Sequence, residues 1–222
     1  MRCLSKTETK VFGTVPRFER EIQHMLKQPQ QPLQDAVVMV GSSIFREWQN
    51  APEHLGPLPV INRAFGGSTT ADQLDRIDQV LIPLAPRVVL YYCGSNDINA
   101  GESPAAISAN FAEFCERLWA HHPRARVVFV SIIKCPQKAG VLGAVDEANA
   151  AVEAHCRGHR RLRFFDLNPW LHEEDGATPR HSLYRDDMLH FRPHAYAEVL
   201  APAIRPVLRQ EWEEAAGPRS AL

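Results

Sequence analysis

The chain has 222 residues, 45% apolar and 23% charged, with a formal net charge of −1 at pH 7. That length suits one sizeable hydrophobic core, and no break in composition argues for two. The near-neutral balance gives no field for nucleic acid or an anionic membrane, and no apolar stretch approaches the ~20 residues that span a bilayer. A small-molecule partner is the expectation.

The opening stretch, MRCLSKTETKVFGTVPRFEREI, carries early positive charge without a continuous apolar run. It argues against a secretory signal and leaves an organelle transit peptide open. Arg17–Lys27 reads as a helix, and the polar, proline-punctuated Gln28–Gln34 follows it. This is an appended helix packed on the domain, not a domain of its own. Then come the apolar runs Ala36–Val40, Val60–Ile61, Val88–Tyr92, Val127–Ile133 and Leu162–Phe165. Their continuous apolarity, rich in β-branched and aromatic residues, predicts strands buried on both faces of a parallel sheet.

Helical spacing fills the gaps. Leu74, Ile77 and Leu81 share a stripe within Ala71–Leu84, and Ile107, Phe111, Phe114 and Leu118 share one within Pro104–His121. Val145–Cys156 is a third helix, and the segment from Pro193 onward is a fourth, which Pro202 and Pro206 are expected to kink or divide. Strands alternating with helices predict a doubly wound α/β/α sandwich of about five strands. The expected divisions are an N-terminal extension (1–34), one catalytic-sized domain (35–215) and a short tail (216–222). Five cysteines (Cys3, Cys93, Cys115, Cys135, Cys156), odd in number and never spaced as CxxC, argue for reduced thiols in the cytoplasm. Cys93 and Cys135 lie in or beside apolar runs and read as core residues.

Ligands of such sheets bind beyond the carboxyl ends of the strands, so the strand exits matter most. The first exit, Gly41-Ser42-Ser43-Ile44, turns sharply and exposes a hydroxyl beside backbone N–H groups; a plain helix cap is the blander alternative. The second, Asn62-Arg63-Ala64-Phe65-Gly66-Gly67-Ser68-Thr69, has paired glycines that admit a ligand close to the backbone. The third, Gly94-Ser95-Asn96-Asp97, offers the Asn96 amide as a donor, with Asp97 assigned to holding the turn. The last, Asp187-Met188-Leu189-His190, spaces a carboxylate and an imidazole so that the first can orient the second.

Together, and in this order, the four segments resemble the blocks of the SGNH (GDSL-like) serine hydrolase family: GDS[IL], its second block, GxND and DxxH. The likeness runs from about Ala36 to Val207. It implies Ser43 as nucleophile, His190 as general base and acid, and Asp187 as its orienting carboxylate. It also implies an oxyanion hole from the N–H groups of Ser43 and Gly67 and the side chain of Asn96. The implied activity is hydrolysis of carboxylic esters, with short acyl chains expected, through an acyl-enzyme that needs no metal or organic cofactor. Ser42 stands where the family has Asp, and Ala64 where Gly is frequent. The first departure puts turn rigidity and pocket polarity in question, and the second narrows the expected approach to the crevice.

Other readings compete. An acyltransferase or thioesterase would use the same groups, and a binding module could keep the fold without activity. His190 and His194 have a zinc-like spacing, but Pro193 intervenes and no third ligand is placed. The run Arg157, Arg160, Arg161 and Arg163 reads as a solvated loop. Trp48 is the tryptophan best placed to line a cleft, whereas Trp119, Trp170 and Trp212 read as core, and Leu142–Asp146 or Glu173–Tyr184 would shape the rim.

Overall fold

The computed structural model describes residues 17–27 and 35–216. The stretch before Arg17 with Cys3, the segment Gln28–Gln34 and the tail after Ala216 lie outside the described residues, and with them the readings attached to those segments.

The first half of the chain forms α1 (Glu19–Lys27), β1 (Val37–Gly41), α2 (Ser43–Arg46), α3 (Ala51–His54), β2 (Val60–Asn62), α4 (Thr70–Val80) and β3 (Val88–Tyr92). The second half forms α5 (Ser95–Asn99), α6 (Pro104–His121), β4 (Arg126–Val130), α7 (Leu142–Arg157), β5 (Leu162–Phe165), α8 (Asn168–Leu171), α9 (Pro193–Ala195) and α10 (Ala201–Ala215). The five strands are all parallel, in the order β2-β1-β3-β4-β5.

Every residue of β1 and β3 is buried, and the two-residue period of a strand divides them between two cores. Val37, Met39, Val88 and Leu90 face one cluster with Phe45, Trp48, Tyr196 and Ile204. Val38, Val40, Val89 and Tyr91 face the other, with Ile77, Phe111, Phe114, Leu118 and Val152. Each fully buried side chain of this size contributes about 1.5–3 kcal/mol, so the continuous apolar runs are what the three-layer packing demands. Helix α1 adds Ile22, wholly buried, to the second cluster. Order reverses between β1 and β3, which makes the crevice beyond their carboxyl ends the topological switch point.

Departures from the sequence expectations have local causes. The fourth strand stops at Val130, not Ile133, because the Asn149 side chain takes over the Ile132 backbone, accepting from its N–H at 2.8 Å and donating to its carbonyl at 2.9 Å. Helix α4 ends at Val80, and Ile82–Leu84 continues as a 3₁₀ turn containing Pro83, which has no N–H for an α-helical bond. The final helix does divide, but upstream of both prolines: Tyr196–Leu200 is a π-helical turn, Pro202 lies in the first turn of α10, and Pro206 sits inside it. Among the described residues, no helix is long and apolar enough to cross a membrane.

Candidate active site

The site starts where β1 ends. Gly41 has φ +142°, and a Cβ there would lie 1.9 Å from the Tyr92 carbonyl oxygen, so only glycine lets β1 leave the sheet this close to β3. Ser42 N–H donates to that same carbonyl at 3.0 Å, and α2 opens at Ser43. A four-residue helix has little stability of its own, so its carbonyls are held from outside. The Asn62 amide donates to Phe45 O at 2.6 Å and to Trp48 O at 3.3 Å, while the buried Tyr196 hydroxyl donates to Ile44 O at 2.9 Å. Burial pushes the Tyr196 phenol up, which keeps it a donor.

The second and third exits are tied to the first by buried polar groups. The Gln73 amide donates to Gly41 O at 3.0 Å and to Ser68 Oγ at 2.8 Å, and Phe65 N–H donates to Gly41 O at 2.9 Å. Asp97 does not hold its own turn, as its position suggested. It reaches across to Thr70, accepting from the backbone N–H at 2.9 Å and from the hydroxyl at 2.5 Å. Burial pushes the Asp97 carboxyl up, and the Thr70 bonds offset part of that. Thr69 caps α4 through a capping box with Asp72. Ala64 is buried with the Ile44 and Phe45 cluster, so its methyl fills core space and does not narrow the crevice as expected.

Asn96 projects from the first turn of α5. Its side-chain nitrogen donates to Ser42 Oγ at 2.8 Å and to Ser68 O at 2.9 Å, so both amide hydrogens have partners. Ser42, 2% exposed, therefore supplies a neutral acceptor where a carboxylate was expected. The N–H of Gly67, a residue with φ +73°, has no partner among the described residues.

The segment after Leu183 brings the last pair over the end of β1. Tyr184 and Phe191 form an isolated antiparallel bridge, and Arg185 N–H donates to His190 O at 2.8 Å, closing a small hairpin. At its tip Asp187 Oδ1 accepts from the N–H groups of Leu189 (3.0 Å) and His190 (2.9 Å). Its Oδ2 lies 2.7 Å from His190 Nδ1, and His190 Nε2 lies 2.8 Å from Ser43 Oγ, 147 residues back along the chain. Desolvation pushes Asp187 up, but the His190 ring and the two backbone N–H groups outweigh it and leave the carboxyl at about 2. It is an anion throughout the neutral range. A hydroxyl bonded to an imidazole, itself bonded to an anion, is an arrangement that can move a proton off oxygen.

Other candidates fall elsewhere. Trp48 is 1% exposed, with its indole N–H on His54 Nδ1 at 3.0 Å and its ring against Tyr196, so it packs in the core while its edge lines a small cavity with Glu47, Arg185 and Tyr196. Trp170, expected in the core, is 42% exposed, while Trp119 is buried. His194 lies in α9, and no group of three His, Cys, Asp or Glu side chains suited to a metal occurs among the described residues. Sequence reasoning missed Thr70, Gln73 and Tyr196 as supports of the site. A hydroxyl or amide beside a motif gives no sign of which distant block it will bond.

Comparison with known proteins agrees with this architecture. The chain is 27% identical over 168 residues to platelet-activating factor acetylhydrolase IB subunit alpha1 of Homo sapiens and of Bos taurus, which covers 73% of this chain and 71% of each relative. A GDSL-like lipase from Bacteroides thetaiotaomicron superposes with a TM-score of 0.69 at 20% identity, covering 87% of this chain and 96% of that one. A carbohydrate esterase family 3 structure from Talaromyces cellulolyticus gives 0.64 at 17%, covering 81% and 99%. At such identities the structural likeness speaks for the fold. Residues 35–198 match the GDSL-like Lipase/Acylhydrolase family, so the chain belongs to that family and is an ester-hydrolysing enzyme.

Proposed function

We propose that the protein hydrolyses carboxylic esters in two steps through an acyl-enzyme on Ser43. One observation carries the reading: the unbroken line Asp187–His190–Ser43, with links of 2.7 and 2.8 Å. Ser43 Oγ attacks the ester carbonyl as its proton passes to His190 Nε2. The tetrahedral intermediate collapses, and the alcohol leaves with the proton from His190. Water then attacks the acyl-enzyme, giving its proton to His190. The carboxylic acid departs, and Ser43 recovers its hydrogen. Asp187 keeps the imidazole proton on Nδ1 and stabilises the imidazolium that forms in each step.

Negative charge that develops on the carbonyl oxygen is met by the N–H groups of Ser43 and Gly67 and by the Asn96 amide. Asn96 shares the hydrogen now resting on Ser42 Oγ. A hydroxyl acceptor holds that hydrogen less tightly than a carboxylate would, so it is readily redirected. Such a donor contributes about 3–4 kcal/mol to lowering the barrier.

A short acyl group fits best, since the curated relatives with 27% identity are named as acetylhydrolases. The test is turnover of p-nitrophenyl esters of increasing acyl length by the wild type and by Ser43→Ala. Wild-type activity greatest on acetate and lost in the variant is expected. Turnover unchanged in Ser43→Ala removes the nucleophile from the proposal, and greatest activity on long chains removes the acyl preference.

A further inference from the structure

The Gly67 N–H belongs to a peptide group flanked by two glycines, Gly66 and Gly67, both only partly buried. A peptide between glycines rotates with little steric resistance, since neither neighbour has a Cβ to clash. A half-turn would replace the N–H with a carbonyl oxygen and oppose the charge it should stabilise. What resists that turn comes from outside the loop. Glu21 Oε1 accepts from Gly66 N–H at 3.2 Å, and the Arg17 guanidinium donates to Gly67 O at 2.9 Å. These are the polar groups of the peptide units on either side of the Gly66–Gly67 peptide.

Both side chains belong to the segment that carries α1, which is docked independently of the two glycines. Ile22 is wholly buried, and the Phe18 ring meets Phe65 edge-on with centroids 5.0 Å apart. Arg63 donates to Met25 O at 3.0 Å, and Arg76 pairs with Glu19 at 3.1 Å. Phe18 adopts φ +68°, a left-handed conformation unfavourable for a residue with a Cβ. Arg46 lies 3.7 Å from Glu21, and Asp72 lies 3.6 Å from Arg17.

We propose that Arg17 and Glu21 are positioning residues, which hold the Gly66–Gly67 peptide with its N–H turned to donate. The N-terminal helix thereby supports catalysis without touching substrate. This rests on the reading of Gly67 as an oxyanion donor. Both contacts are partly solvated, so removing either should lower kcat about three- to tenfold.

The test compares kcat, KM and Tm with p-nitrophenyl acetate for Arg17→Ala, Glu21→Ala, Glu21→Gln, Glu19→Ala and Asn96→Ala. Arg17→Ala and Glu21→Ala should lower kcat with KM unchanged. Glu21→Gln should restore it, because the amide oxygen still accepts from Gly66. Glu19→Ala loosens the same helix without reaching the loop, so it should lower Tm while leaving kcat alone. The proposal is overturned if kcat is unaltered at both positions, if it merely follows Tm through Glu19→Ala, or if glutamine gives no rescue. Asn96→Ala separates the two ideas. A loss of about 100- to 1000-fold there, with no effect at Arg17 and Glu21, rejects the positioning role alone, whereas an active Asn96→Ala removes the oxyanion reading and this inference with it.

Discussion

Replacing Asp187 by Asn changes almost nothing in shape, yet the geometry forces a large kinetic effect. Asp187 accepts three hydrogen bonds, two backbone bonds on Oδ1 and the His190 ring on Oδ2. An amide has one oxygen. The two backbone N–H groups will claim it, which turns the new NH₂ toward His190 Nδ1. A donor there requires Nδ1 to be an acceptor, so the ring proton moves to Nε2 and points at Ser43 Oγ. In that tautomer the imidazole has no lone pair with which to take the serine proton. The expected fall in kcat/KM is about 10⁴-fold, or about 5.4 kcal/mol of barrier. Stability moves far less. A carboxyl lowered from its ordinary 3.8 to about 2 stabilises the fold above the unfolded pKa, and loses that contribution as pH falls toward 2. Its side chain is 49% exposed, and solvent screening holds the contribution at neutral pH below about 1 kcal/mol. Steady-state assays on p-nitrophenyl acetate at pH 7–8, with thermal melts of both proteins, provide the check. Activity within about tenfold of wild type, or a loss matched by unfolding, would refute the tautomer argument.

Three further outcomes follow from the packing. Gly41→Ala places a carbon 1.9 Å from the Tyr92 carbonyl oxygen and forces β1 from β3, at a cost above about 4 kcal/mol; a soluble variant with wild-type Tm contradicts this. Glu211→Ala breaks an ion pair with Arg126 (2.6 Å) whose side chains are 2% and 14% exposed, but Glu214 remains as a partner at 2.6 Å. The loss should lie near the lower end of the buried-pair range, about 3 kcal/mol by urea denaturation, with kcat unchanged because Arg126 begins β4 at the end of the sheet away from the site. Burial raises the thiols of Cys93, Cys115 and Cys135, and pushes Cys156 up to about 12. At pH 8 these four should resist a thiol reagent until the protein unfolds; rapid native labelling of any of them, localised by mass spectrometry, would show otherwise.

The central strands β1, β3 and β4 were legible because burial on both faces leaves a direct mark, a run of apolar β-branched residues without alternation; edge strand β5 departs from that expectation, with Arg163 exposed and Phe164 half-buried. The strand ends were less legible. Nothing in Ser131-Ile132-Ile133 announces that a side-chain amide 17 residues away will replace a neighbouring strand. The four motif blocks were legible for a different reason: the turns need glycine where the backbone crowds β3, and hydroxyl, amide, carboxylate and imidazole where polar groups converge. The role of Asp97 was misread because local turn chemistry suggested a nearer partner than Thr70. Trp170, expected in the core, is exposed, since sequence position says nothing about which way an indole points.

The supports divide the site into two halves of different stiffness. Gly41, Ser68, Gln73, Thr70 and Asp97 are all nearly or wholly buried, and they bind the first three exits to one another through bonds of 2.5–3.0 Å. Opening any one of these means exposing a polar group in the core, so the turns that carry Ser43 and Asn96 should hold their geometry until global unfolding, whereas the Gly67 N–H depends on the more solvated Arg17 and Glu21 contacts. Asp187 and His190 ride on a hairpin near the surface, tied at its base by the Tyr184–Phe191 bridge and at its side by Gln137 N–H on Met188 O at 3.1 Å and the Arg185–Glu47 pair at 2.5 Å. Met188, at φ +57°, adds backbone strain to the tip. Solvated bonds and a strained turn open at lower cost than a buried network. The base can therefore part from the nucleophile while the rest of the fold stays intact, and mild denaturant should abolish activity before it alters the core.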